Sequence, residues 1–248
     1  MDAAQTIREA VAQVARMRSD AIADAKLHAA TLAIKSFQAR RFAGTYADLL
    51  ATDEYGGASR FFLEDLYSDK DYSLRDAQFA RIAGGLQRFF PQQVVATAVA
   101  LAKLHVLTEK LDRRMAEVWS QQEQTMGLDV VSLYVKCWDL VDRERDRDEQ
   151  LEMVLAIGFE LDRLTRVPGL RLMLKMMRRP AQAAGMGSLQ SFLESGFDIF
   201  AHMSGKGAGA QFFLSTIQER EASWIKRLSS PNKSKSKFEL KACLANAQ

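Results

Sequence analysis

Much of what this sequence says lies in what it is short of. Cysteine occurs twice, at Cys137 and Cys243, too few and too far apart for a disulfide framework or for a metal site of cysteine spacing. That scarcity fits a reducing compartment. No apolar run approaches the ~18 uninterrupted residues of a membrane span, and the opening Met1-Asp2-Ala3-Ala4-Gln5 does not resemble a signal peptide. The expectation is a cytoplasmic protein with no transmembrane segment. Charge of one sign is lacking as well. The net charge is +3, and the tail from Ser229 to Gln248 accounts for it with four lysines against one glutamate. The body ahead of the tail is therefore balanced, and the basic pI of 8.8 is no argument for a nucleic-acid surface.

Catalytic motifs are scarce too. There is no Gly-x-Ser-x-Gly, and Cys137 sits in an apolar run with no histidine nearby in sequence. Gly205-Lys206-Gly207-Ala208-Gly209 lacks both the spacing of a phosphate-binding loop and a preceding strand, and reads as a linker.

What is present is helix. The first 43 residues contain neither Gly nor Pro, and Ile7, Val11, Val14, Ala21, Ala25 and Leu32 recur at helical spacing, which predicts one long helix ending near Gly44. Its seam is mostly alanine and is interrupted by His28, so packing on the rest of the chain is favoured over a coiled coil. Ser73 and Asp76 approximate a capping box for a helix running to Phe89. From Pro91 to about Gln121, one stripe of Val94, Ala98, Leu101, Leu104, Thr108, Leu111, Met115 and Val118 marks a central helix. Leu128 to Val141 is apolar and in part β-branched, so a strand is possible, but no second strand is visible to pair with it and it is assigned as helix. The total is an all-α bundle of about nine helices with no credible sheet, forming a single domain over residues 1–228. The basic tail 229–248 is expected to be disordered.

Polar residues in apolar surroundings are the candidate site. In Phe61-Phe62-Leu63-Glu64-Asp65-Leu66-Tyr67, read as a helix, Asp65 projects between the two phenylalanines and Glu64 lies on its flank. An ionised carboxylate is costly to bury alone, so Asp65 either pairs with an arginine such as Arg60, Arg75 or Arg81, or belongs to a site. On the central helix, His105, Glu109 and Asp112 form a polar column within an apolar face. These are metal-ligand types. Di-iron carboxylate proteins, however, use Glu-x-x-His pairs, and none of the three histidines has an acid three residues before it. No metal or cofactor is assigned. Glu221, between Ile217 and Trp224, is a second candidate buried acid and calls for an arginine from another helix. His202, four residues after Asp198 near a helix end, reads as a surface residue. Leu170 to Arg179 mixes Leu and Met with four cations, and a core-edge helix whose Arg and Lys reach out to water is favoured over a partner or membrane surface.

The heptapeptide resembles the signature that names a group of bacterial proteins, the FFLEELY proteins, with Asp65 where that name has its second Glu. The resemblance implies a bacterial, cytoplasmic protein, and it brings no activity, cofactor or catalytic residue. Three functions follow from the sequence. The first is a non-enzymatic interaction protein, as a homodimer or with another protein partner. The alternative is a helical protein holding a metal, haem or apolar ligand near Glu64, Asp65, Tyr67, His105 and Glu109. The third is an enzyme using an acid-base pair from Glu64, Asp65, His105 and Glu109, and it rests on residue type alone.

Overall fold

The computed structural model describes residues 2–66, 70, 72–126, 129–204 and 209–247. Among the described residues it is all helix, with no strand and more helical segments than the nine expected. The long N-terminal helix is two helices, α1 (Ala3–Ala23) and α2 (Ala25–Thr45), broken at Asp24. The Asp24 backbone is extended, and its carboxylate accepts hydrogen bonds from the Lys26 and Leu27 amides at 2.9 and 3.2 Å. This is N-cap chemistry in the middle of a helical composition. It starts a new helix where propensity alone would continue the old one.

After the short α3 (Ala47–Leu50) and α4 (Gly56–Phe61), the chain makes a π-turn over Phe62–Leu66. Next come α5 (Ser73–Phe89) and α6 (Gln92–Met126), the longest helix. Helices α1, α2, α7 (Val130–Val141) and α8 (Glu144–Thr165) all pack on α6, which is the central helix the apolar stripe predicts. Helices α9 (Leu170–Met176), α10 (Arg178–Ala183) and α11 (Gly187–Ser204) follow as a second layer, and α12 (Gly209–Ser229) closes against α8. None of the helices among the described residues is long and apolar enough to cross a membrane.

The tail differs from expectation. Residues Lys233–Ala245 form α13, which packs on α2 and α7 and buries Leu240, Cys243 and Leu244 in the same core as Phe37, Trp119 and Tyr134. Lysine-rich composition hides an apolar face of only a few residues, and that face is completed by tertiary contacts. Lys233 bonds Asp139 at 2.7 Å, Lys241 meets Asp129 at 3.3 Å, and the Ser236 hydroxyl donates to the Arg227 carbonyl at 2.6 Å. Gly44 is what allows the approach, since a Cβ there would stand 2.0 Å from the Cys243 carbonyl oxygen.

The aromatic pair that opens the signature works as a wedge between two layers. Phe61 stacks on Phe192 of α11 with ring centroids 5.4 Å apart and abuts Gly196, while Phe62 stacks on Phe42 of α2 at 5.3 Å. The two rings thus serve opposite neighbours instead of sharing one face. The π-turn that begins at Phe62 widens the helix there.

Candidate functional site

In the polar column of α6, Glu109 and Asp112 are buried and His105 is partly buried, and each has a polar partner on another helix. His105 Nε2 lies 3.0 Å from Asp76 Oδ2, and the same oxygen accepts from Arg18 Nη1 at 2.9 Å. Arg18 also reaches Glu109 Oε2 at 3.2 Å, and Lys35 Nζ sits 3.2 Å from both Glu109 oxygens. Arg18 Nη2 is 3.3 Å from His105 Nε2. A neutral ring that donates from Nε2 to Asp76 has no lone pair there to offer the guanidinium, so the His105–Asp76 bond orients the ring. One turn on, the Gln38 amide donates to Asp112 at 3.4 Å, with Asp112 1% exposed. Burial works to raise the Asp76 carboxyl. The hydrogen bond from His105, with the charges of His105, Arg18 and Arg75, outweighs it and holds Asp76 below the ordinary carboxylate range.

Asp76 is the residue that sequence reading placed in a capping box. In the fold Tyr72 occupies the N-cap of α5 without a side-chain cap, and the Asp76 carboxylate turns to Arg18 and His105 instead. Arg18 and Lys35 against Asp76 and Glu109 leave no formal charge over when His105 is neutral. Four helices, α1, α2, α5 and α6, are joined at this point. Chemically it is a clamp whose functional groups are occupied by one another.

The second flagged acid behaves the same way. Glu221 on α12 takes a bidentate bond from Arg41 of α2 at 2.9 and 2.8 Å, and the Tyr46 hydroxyl donates to it at 3.0 Å. Burial works to lower the Arg41 pKa, and the Glu221 charge and hydrogen bond reverse this and raise it. Burial, then the Glu221 charge, pushes Tyr46 up.

Of the other predicted site residues, Glu64 does not join His105 and Glu109. Glu64 is exposed, with its carboxylate 4.0 Å from Lys70, and it shares no hydrogen bond or ion pair with either. Tyr67 and the side chain of Asp65 lie outside the described residues. Of the arginines considered for Asp65, Arg60 donates to the Leu50 carbonyl, Arg81 to the Ala184 carbonyl, and Arg75 stacks over the Tyr72 and Phe192 rings. No group of three or more His, Cys, Asp or Glu among the described residues is arranged to hold a metal ion.

Open space lies elsewhere, on the N-terminal side of the signature. A cleft of about 680 Å³ runs between the Asp53–Ala58 stretch and α10–α11, lined by Asp53, Glu54, Gly57, Arg178, Ser191, Glu194, Ser195, Asp198 and His202 among others. Glu194, Asp198 and His202 are one turn apart along α11 and form a second polar column. Glu194 accepts from Arg178 Nε at 2.7 and 2.6 Å and from the Gln190 amide at 2.7 Å. Asp198 accepts from Arg171 at 2.9 Å. The Arg178 hydrogen bond holds the Glu194 carboxyl below its ordinary range. Across the cleft, neither Asp53 nor Glu54 has an ion-pair partner among the described residues, and Glu54 bonds Tyr55, whose hydroxyl is pushed up by burial and by that bond. The wall is thus acidic in excess and suited to hold a cation. The sequence signal was available: Asp198 and His202 are noted at i and i+4, and Glu194 extends the same face by one turn. Nothing in the sequence places Asp53 and Glu54 opposite them.

Residues 17–235 match the model of a protein family described as a domain of unknown function, DUF8198. The chain belongs to that family. The DUF8198 match takes in every residue of the α6 clamp and of the cleft, and it ends within the first turn of α13. No curated protein and no solved structure matches the chain.

Proposed function

We propose that this DUF8198 protein is a non-enzymatic binding protein whose ligand seats in the cleft beside α4 and presents amine or guanidinium groups to Asp53 and Glu54. The observation that carries this reading is the cleft itself, with a volume of about 680 Å³ and carboxylates on facing walls. That is within the size range of small-molecule and peptide sites. The clamp at His105 and Glu109 supports it by contrast, because its groups are already spent on one another. A bacterial, cytoplasmic setting, from the resemblance of Phe61–Tyr67 to the FFLEELY signature, is part of the same reading. So is a partner protein that supplies the cation as a basic side chain.

Isothermal titration of the full chain with spermidine and with a short arginine-rich peptide tests the assignment. Saturable binding of at least one, weakened by added salt, is the expected result. Absence of saturable heat with both at millimolar concentration would remove the cleft as a cation site.

A further inference from the structure

The balanced charge of the body conceals a strong segregation. From Arg163 to Leu193 the chain carries five arginines and one lysine, with no Asp or Glu. Four of these cations are held by acids from outside the stretch: Arg163 by Glu160, Arg166 by Asp162, Arg171 by Asp198 and Arg178 by Glu194. Lys175 and Arg179 are exposed and have no ion-pair partner among the described residues. Helix α9 is split along the same line. Leu170, Met173 and Leu174 pack with Leu164 and Phe197, whereas Leu172 and Met176, one turn apart, are 61% and 63% exposed. Two aliphatic side chains therefore stand out from the molecule beside two exposed cations, of which Lys175 lies near the Glu194 carboxylate without an ion pair to it.

Each alternative occupant leaves half of this surface unused. A second copy docked by two-fold symmetry would bring Lys175 and Arg179 against their own duplicates. Nucleic acid would satisfy the cations but has little use for protruding Leu172 and Met176 in place of polar or aromatic side chains. An anionic lipid surface takes both: the aliphatics enter the headgroup boundary while the ammonium and guanidinium meet the phosphates. We propose that the α9–α10 face docks peripherally on anionic lipid bilayers. Sequence composition weighs against a membrane surface because the segment is short. The outward placement of Leu172 and Met176 reverses that weighing. This inference does not depend on the cleft.

Cosedimentation of the full chain with vesicles tests it. The protein is expected to pellet with phosphatidylcholine vesicles containing phosphatidylglycerol, to stay in solution with phosphatidylcholine alone, and to be released by salt. Lys175→Glu with Arg179→Glu should cut binding by roughly tenfold or more. Leu172→Ser with Met176→Ser should also weaken it, and circular dichroism melts should confirm that both variants are folded. Failure to pellet with anionic vesicles, equal binding to both lipids, or full binding by both double variants would overturn the proposal. Retention by polyglutamate or duplex DNA without vesicle binding would overturn it too, and would assign the face to an acidic macromolecule.

Discussion

Helices α6 and α11 each carry a polar column of two acids and a histidine at one-turn spacing: His105, Glu109 and Asp112 on the first, Glu194, Asp198 and His202 on the second. What differs is the opposite wall. The α6 column is roofed by α1, α2 and α5, which deliver Arg18, Lys35, Gln38 and Asp76 into it. The α11 column has arginines only along its edge and faces an acidic turn across about 680 Å³ of space. The same spacing thus yields a structural clamp in one place and an open cleft in the other. Residue type announces that a polar column exists, and the neighbours decide what it is for.

The comparison predicts opposite responses to charge removal. Glu109→Ala should be the most damaging change, because it leaves Arg18 and Lys35 without their shared acid at 7% side-chain exposure. A loss of about 3 kcal/mol is expected for breaking a buried ion network from one side. Differential scanning calorimetry should then show a melting point lower by roughly 6–12 °C. An unchanged melting point would mean that the clamp holds nothing. Next in size is the pH response. The folded Asp76 carboxyl lies below its unfolded value near ~3.9. Its contribution is therefore complete above that value and is lost as pH falls through the lower folded one. Urea midpoints followed from about pH 7 to about pH 3 should drop more steeply for the wild type than for Asp76→Asn. Parallel curves would contradict the assignment.

The clamp was half legible in the sequence. The α6 face could be read because periodicity fixes which side chains share a helix face, so His105, Glu109 and Asp112 were grouped correctly. Arg18 and Lys35 could not be joined to them, since they lie 91 and 74 residues away in sequence from Glu109. Glu221 drew the arginine its burial demanded, though which arginine depended on how α2 crosses α12. The all-helical class was legible because propensity and periodicity agree over most of the chain. Two boundaries were not. Asp24 looked like any surface acid of a long helix, and its capping role needs the extended backbone that separates α1 from α2. The tail read as disordered because four lysines mask the three apolar residues that α2 and α7 require. Asp76 was misread because a carboxylate three residues into a helix serves a cap equally well on paper.

The α11 side should respond in affinity and hardly in stability. Asp53→Asn and Glu54→Gln should each leave the unfolding free energy from urea titration within about 0.5 kcal/mol of wild type. Each should weaken spermidine binding by about three- to fivefold, the weight of an exposed ion pair. Loss of fold in either would place the cleft wall in the same structural class as the clamp.

The smallest and most discriminating change is Arg178→Ala. Arg178 is half exposed and neutralises Glu194 from the rim of the cleft, so its removal should leave stability nearly unchanged. It should also release a third carboxylate toward the ligand. Spermidine affinity is expected to rise several-fold, with a steeper dependence on salt, because one more unscreened charge faces the cation. If affinity falls instead, the Arg178–Glu194 pair is what holds the cleft wall in its binding shape. The α11 column would then hold structure as the α6 column does, and the contrast between the two would rest on the acidic turn alone.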